Sequence, residues 1–317
     1  MNTQDIQHQL KQYLALRCAL GFQNPTERRL LTDFVSYLTV EGLAAPVRAH
    51  SAVEWAFSSA RHCQPAARSH RLGVARGFLA YLRATFPDTE VPGTHLLAAT
   101  KRPVPHIYSD TEIGQLLSGA RALRPADGLR PRTIATLIGL LVSTGLRGGE
   151  AVRLRLADVN LSTEPPRLNI HKTKFRKSRL VPLHPSTAQA LNEYSAHRRR
   201  ICDGALCERF FVSDKGTPMP YRTVSGIFVR LTREAGIRGP VGERGPSLRH
   251  LRHTFAVNRL TAWYRDGQDV NARIPELSVY LGHARPQDTY WYLSATAELL
   301  GLAAQRFEAQ ASSGGLS

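Results

Sequence analysis

Four short segments carry cationic and aromatic side chains of the kinds that bind phosphate and act as nucleophiles. They are, in chain order, "STGLRGGE", "HKTKFRKSR", "LRHLRHTFA" and "LGHARPQDTYWY". In the third segment Arg249 and Arg252 are three residues apart, so on a helix they point to the same side, which suits a phosphate better than an apolar core. His250 and His253 lie about 100° further round that helix. Taken singly, each segment also has an ordinary structural explanation, such as a solvated turn charge for Arg147.

The chain is strongly basic, with 42 Lys and Arg residues against 25 Asp and Glu, a formal net charge of +17 and a pI near 10.4. For a chain of 317 residues this excess favours a polyanionic partner, nucleic acid first and an anionic membrane second. We set the membrane aside because the basic residues are dispersed through helices that also supply a core, with no isolated basic amphipathic segment.

The sequence lacks the patterns of a membrane span, a secreted protein or a metal site. No window holds the roughly 18 uninterrupted apolar residues of a span, and "MNTQDIQHQL" lacks the layout of a signal peptide, so we expect a soluble, cytoplasmic protein. Cys18, Cys63, Cys202 and Cys207 form no CxxC pair, which favours free thiols over zinc. The four segments are poor in Asp and Glu, so we expect no metal and no other cofactor.

Two helical regions joined by a proline-rich linker are expected to position these segments. Helical periodicity from Asp5 to about Tyr81 predicts a first domain, residues 1–97, and within the proline-rich stretch Pro87 to His106 residues 98–107 form the linker. Ser109 and Glu112 have the spacing of a capping box, so a second domain occupies residues 108 to 317. Within it "TIATLIGLLVSTGL" predicts a buried helix ending at Gly145, and "RLNIHKTKFRKSRLVPL" predicts two strands joined by a turn. The predicted fold class is mainly α with one small antiparallel sheet.

The order and approximate spacing of the four segments resemble those of the tyrosine recombinase (integrase) family over nearly the whole chain. The segment "TGLRGGE" is similar to the motif that supplies the first catalytic arginine of the family, which corresponds to Arg147. The segment "TKFRKSRLVPL" resembles the hairpin that supplies the catalytic lysine, which corresponds to Lys174, with Lys172 and Lys177 as competitors. In "RHLRHTFA" the second arginine of the family corresponds to Arg252.

The chain departs from the family pattern at Arg249, which stands where the family usually has a histidine. Arginine can donate hydrogen bonds to phosphate but cannot accept a proton at neutral pH. The segment "LGHARPQDTYWY" resembles the last family motif, which places His283 in the site and the nucleophile at Tyr292 rather than Tyr290. The catalytic set that the resemblance implies is Arg147, Lys174, Arg249, Arg252, His283 and Tyr292.

The resemblance implies a reaction without metal or ATP, in which Tyr292 forms a 3′-phosphotyrosine and leaves a free 5′-hydroxyl. Arginines take the place of metal ions in balancing the charge of the transition state. Lys174 is the expected general acid for the leaving oxygen, and Glu150 a supporting residue. His283 and Arg249 complete the phosphate cage.

The resemblance also implies the domains and partners. The first domain is a core-binding (SAM-like) clamp on double-stranded DNA, with the arginines of "RSHRLGVARGFLAYLR" on its DNA face, and residues 108–317 are the catalytic domain. A homotetramer is expected on two synapsed sites at the bacterial nucleoid, alone or with accessory recombinases. The C-terminal "AELLGLAAQRFEAQ" is the candidate helix for docking on a neighbouring protomer, and an ordinary intramolecular helix is the alternative.

The sequence resembles transposon-encoded integrases most, through "TYWYL" and "IYSDTEIGQLL", which implies integration, excision or transposition of a mobile element. Two alternatives stay open. A type IB topoisomerase would use the same chemistry to relax DNA as a monomer. A non-catalytic DNA-binding relative is favoured only by Arg249 in place of the usual histidine.

Overall fold

The computed structural model describes residues 3–22, 24–58, 64–97, 104–171, 178–201, 207–243, 245–283, 285–294 and 297–314. The chain divides into two compact units, Met1–Pro103 and Val104–Ser317. The division falls within the predicted linker, and the roles assigned to the two domains stay predictions.

The described residues of the first unit form four helices around one apolar core. They are α1 (Thr3–Ala19), α2 (Pro25–Val40), α3 (Ala49–Ser58) and α4 (Pro65–Leu82). Phe34, Trp55 and Phe78 are fully buried between them because each helix turns one apolar face inward. Arg71 of α4 is also buried, with its guanidinium carbon 3.9 Å from the Trp55 ring centroid. Arg71 is therefore not available to the arginine-laced DNA face predicted for this helix, and that face stays a prediction for the other arginines.

The second unit is mostly helical. Its helices are α5 (Asp110–Arg121), α6 (Leu129–Thr144), α7 (Gly148–Ala151), α8 (Pro185–Ile201), α9 (Tyr221–Glu234), α10 (Leu248–Arg265), α11 (Val270–Leu281), α12 (Gln287–Tyr290) and α13 (Ala297–Gly314). The predicted capping box is present, because Ser109 and Glu112 exchange side-chain and backbone hydrogen bonds at the start of α5. The predicted buried helix is α6, which ends before Gly145.

Where the structure describes the second unit, one small antiparallel sheet accompanies these helices. Its strands are β1 (Val159–Asn160), β2 (Arg167–Ile170) and β3 (Arg179–Pro182), in the order β1-β2-β3. In the β2–β3 ladder Leu168 faces Val181 and Ile170 faces Arg179. The mainly α fold class with a small antiparallel sheet is confirmed, and residues 172–177 between β2 and β3 lie outside the described residues.

Helix α10 connects the two apolar clusters of the second unit. Leu248 and Leu251 in its first turn belong to the cluster that includes α6, whereas Val257 and Leu260 belong to a second cluster with α11 and α13. Helix α13 packs on α10 of the same chain, where Leu299 is fully buried. Among the described helices, none has the length and apolar content needed to cross a membrane.

Candidate active site

Arg147 lies just after the turn that ends α6. Gly145 adopts a left-handed conformation with φ of 60°, which only glycine accepts without strain, and it brings the chain sharply round to Arg147 at the start of α7. The Arg147 guanidinium donates to Glu150 Oε1 at 2.8 Å and to the Gly282 carbonyl at 2.8 Å. Arg147 is therefore held from two sides while staying partly exposed.

Arg252 of α10 is anchored to the same two turns. Its Nη1 donates to the Gly145 carbonyl at 2.9 Å and its Nη2 donates to the Leu281 carbonyl at 2.7 Å. Burial lowers the pKa of Arg252 to about 10, and the charge of Arg147 acts in the same direction. A pKa near 10 is still far above neutral, so Arg252 keeps its charge.

A buried carboxylate joins Arg147 to a third arginine that sequence reasoning missed. Arg179 of β3 donates to Glu150 Oε2 at 2.8 Å and to the Tyr280 carbonyl at 2.8 Å. Burial by itself raises a carboxyl pKa, but hydrogen bonds and charge from Arg179 and then Arg147 outweigh it and hold the pKa of Glu150 at about 2. Strand alternation was the available signal, because Arg179 lies on the same face of β3 as the buried Val181.

Tyr292 lies on a 3-10 helix (Trp291–Ser294) beside His283 and Arg252. It is only 3% exposed, and its ring packs nearly parallel to the His283 ring at 6.0 Å between centroids. The Nδ1 of His283 is 2.7 Å from Thr289 Oγ1, which fixes the imidazole. Tyr292 is also close enough to Arg252 to interact electrostatically with its guanidinium. Tyr290, two residues earlier, is 45% exposed.

The structure therefore brings Arg147, Arg252, His283 and Tyr292 together. The other two residues of the predicted catalytic set are Arg249 and Lys174. Arg249 is an exposed residue one turn before Arg252. Lys174, like its competitors Lys172 and Lys177, lies outside the described residues.

The two histidines beside Arg252 have different surroundings. His250 is half-buried and its Nδ1 accepts the Ser247 backbone N–H at 2.9 Å, so it caps α10. Burial, followed by the charges of His106, Arg249 and Arg238, lowers the pKa of His250. His253 is 5% exposed, and its ring centroid lies 5.4 Å from that of Tyr292. His253 was not predicted to belong to the site, because helical spacing rotates it away from Arg252.

The cations and the tyrosine suit attack on a phosphodiester. Each guanidinium has five N–H donors and uses two of its Nη hydrogens on the fixed acceptors described above, which leaves three for phosphate oxygens. The guanidinium groups of Arg147 and Arg252 can together balance the negative charge that grows on the non-bridging oxygens of a phosphate under attack. In the described part of the chain no group of three or more His, Cys, Asp and Glu residues could hold a metal ion.

Residues 110–298 match the sequence pattern of the Phage integrase family. The chain is 38% identical over 304 residues to the putative integrase/recombinase y4rB of Sinorhizobium fredii, covering 94% of this chain and 96% of that protein. It is 28% identical over 197 residues to the tyrosine recombinase XerC of Chlamydia caviae, covering 62% of this chain and 56% of that protein.

Solved structures share the fold at low sequence identity. The XerH site-specific recombinase in a post-cleavage complex with a palindromic difH substrate gives a TM-score of 0.67 at 18% identity, covering 97% of this chain and 85% of that one. The Tn1549 transposon integrase with transposon right end DNA gives 0.66 at 16% identity, covering 96% and 99%. A lambda integrase tetramer bound to a Holliday junction gives 0.62 at 15% identity, covering 91% and 77%.

Proposed function

Because this chain belongs to the phage integrase family and is a tyrosine site-specific recombinase, we propose that Tyr292 is the nucleophile with which it opens and rejoins DNA. The observation that carries the proposal is the position of Tyr292 beside Arg252 and His283, while Tyr290 is exposed. Arg147 and Arg252 bind the non-bridging oxygens of the scissile phosphate. Their carbonyl and carboxylate anchors hold them in place before the substrate arrives, which lowers the cost of reorganisation.

In the forward step Tyr292 Oη bonds to phosphorus and the bond to the 5′-oxygen breaks. The phenolic proton of Tyr292 passes to His283, the neighbouring candidate base, and Lys174 gives a proton to the departing 5′-oxygen. The product is a 3′-phosphotyrosine and a free 5′-hydroxyl. In the reverse step the 5′-hydroxyl oxygen of another strand bonds to phosphorus, the bond between phosphorus and Tyr292 Oη breaks, and Lys174 takes the hydroxyl proton. His283 returns a proton to the Tyr292 oxygen, and the energy of the phosphodiester is conserved without ATP.

The proposed partner is double-stranded DNA, held as four protomers on two synapsed sites. The net charge of +17 supports binding to the DNA backbone. The tetramer rests on the shared fold with lambda integrase, which has been solved as a tetramer on a Holliday junction. In this proposal the protein works in the cytoplasm at the nucleoid, and accessory recombinases are a further component to test.

The proposed role is the integration, excision or transposition of a mobile element. The support is the similarity in fold to the Tn1549 transposon integrase, together with the transposon-like motifs at both ends of the second unit. The competing candidate is a relative that binds DNA without cutting it, and the observation that favours it is Arg249 at the usual histidine position.

The test is cleavage of suicide substrates, which lose a short strand after attack and so trap the covalent protein–DNA adduct. The substrates carry sites selected from fragments of the DNA that flanks the gene. We expect an adduct with the wild type and with Tyr290→Phe, the exposed control, and none with Tyr292→Phe. An adduct that survives in Tyr292→Phe would rule out Tyr292 as the nucleophile. An adduct formed by Arg249→His but not by the wild type would establish the non-catalytic candidate.

A further inference from the structure

His253 is a buried histidine in contact with the proposed nucleophile that the reaction described above does not use. Its ring centroid lies 5.4 Å from that of Tyr292 and 5.2 Å from that of Trp291, in a T-shaped arrangement with the tryptophan. The side chain is 5% exposed, so it is part of the packed interior rather than of the DNA-facing surface. Tyr292 thus packs against two imidazoles, those of His253 and His283.

His253 is the residue directly after Arg252 in α10. Successive residues of a helix point about 100° apart, so Arg252 and His253 serve two different neighbours from one rigid element. Arg252 holds the turns at Gly145 and Leu281, beside which Arg147 is placed. His253 contacts Tyr292 instead. The separation between the phosphate-binding cations and the nucleophile is thereby set through adjacent residues of α10.

We propose that His253 is a positioning residue: with Trp291, its ring holds Tyr292 in the orientation from which the phenolic oxygen reaches a phosphate bound by Arg252. This inference rests on the proposed function. An aromatic ring at position 253 suits the role because edge-to-face and tilted contacts with Trp291 and Tyr292 are directional, whereas an aliphatic side chain fills space without fixing a ring angle. A misplacement of about 1 Å at a reacting atom can cost about 100-fold in rate.

The experiment separates the placement of Tyr292 from the integrity of the phosphate site. The first substrate is the suicide duplex, on which attack by Tyr292 is measured in a single turnover at saturating DNA. The second is a duplex carrying a 3′-(4-nitrophenyl) phosphate next to a strand with a free 5′-hydroxyl. In that reaction the 5′-oxygen bonds to phosphorus, 4-nitrophenolate leaves, and the hydroxyl proton is released. It uses the cations of the site but not Tyr292.

The variants are His253→Leu, which has no ring, and His253→Phe, which restores one. Tyr264→Leu, an aromatic-to-leucine change about three turns further along α10, is the matched control. We expect His253→Leu to lower the rate of adduct formation by about 100-fold, while its DNA affinity and nitrophenolate release stay within about twofold of the wild type. His253→Phe should recover the cleavage rate to within about tenfold, and the control should cleave normally.

Other outcomes overturn the inference. Cleavage at the wild-type rate by His253→Leu would show that the ring does not position Tyr292, and a parallel loss of nitrophenolate release would show that His253 only maintains the fold. If His253→Leu does not fold, His253→Gln, which also lacks a ring, takes its place with the same expected results. A wild-type protein that neither cleaves nor joins on a bound site would instead contradict the proposed function.

Discussion

Glu150 is a buried carboxylate whose charge is balanced by two arginines rather than one. Taking an ionised carboxylate out of water is costly unless its oxygens receive hydrogen bonds from cations. Arg147 and Arg179 supply them from α7 and β3, so Glu150 ties the turn after α6 to the sheet. Because Arg147 also contacts the Gly282 carbonyl, the same network reaches the turn that carries His283.

This network makes stability depend on pH in one direction. The folded-state pKa of Glu150, about 2, is depressed below the ordinary value of 4.5, so its contribution is fully present above about pH 4.5 and is lost as pH falls towards 2. We expect Glu150→Gln to lower the free energy of unfolding at pH 7 by roughly 3 kcal/mol. Urea denaturation of both proteins between pH 7 and pH 3 should show this difference shrinking at the acid end. A constant difference would mean that the charge of Glu150 is not responsible.

The residues of the site differ in how far the sequence could predict them. Arg147, Arg252, His283 and Tyr292 occur in recognisable motifs, and the structure brings them together, although their catalytic roles stay predictions. His253 was missed because helical spacing says only that it points away from Arg252. The neighbour of His253 is Tyr292, because the segment around Tyr292 folds back against α10. That long-range contact has no local sequence pattern from which it could be predicted.

At the scale of elements, the turn at the end of α6 supplies one of the two backbone carbonyls that accept hydrogen bonds from Arg252. The Gly145 carbonyl accepts from Arg252, and a Cβ on this residue would overlap the ring of Phe255. We expect Gly145→Ala to destabilise the protein by about 2 kcal/mol or more, from the left-handed backbone and the overlap together, and to slow cleavage by displacing the carbonyl.

The matched control, Gly139, lies inside α6, the helix that Gly145 caps. A Cβ at Gly139 meets no atom within 4 Å, so Gly139→Ala should stabilise the protein by about 0.5–1 kcal/mol through helix propensity. Thermal denaturation of both variants measures the contrast. Equal melting temperatures for the two variants would contradict the role assigned to Gly145.

The helices and strands were easier to predict from the sequence than the surfaces against which they pack. Helix α6, the capping box of α5 and the antiparallel pair β2–β3 follow from periodicity, cap spacing and alternation, which are local properties. The amphipathic α13 was also predicted, but its apolar face does not specify what it covers. Here that face buries Leu299 against α10 of the same chain, which is the alternative to docking on a neighbour.

At the scale of the whole molecule, both units are basic but unequally so. Residues 1–103 contain 12 Lys and Arg against 7 Asp and Glu, a net +5, and residues 104–317 contain 30 against 18, a net +12. Some of these cations are not available to DNA. Arg71 in the first unit and Arg198 in the second are buried and donate to backbone carbonyls. The number of phosphate contacts should therefore be smaller than the charge count suggests.

Salt dependence of binding can divide those contacts between the two units. Each phosphate contact contributes about 0.9 to the slope of log binding constant against log salt. If the first unit clamps DNA, the full chain should have a steeper slope than residues 104–317 alone, which should fold by themselves because they contain their own two apolar clusters. The measurement is fluorescence anisotropy with one labelled duplex across a series of NaCl concentrations.

Residues 104–317 should also bind more tightly than residues 1–103 at equal salt, because they carry the larger net charge. Equal slopes for the full chain and for residues 104–317 would mean that the first unit makes no phosphate contacts, and the clamp would have to be abandoned while the assignment of Tyr292 stood.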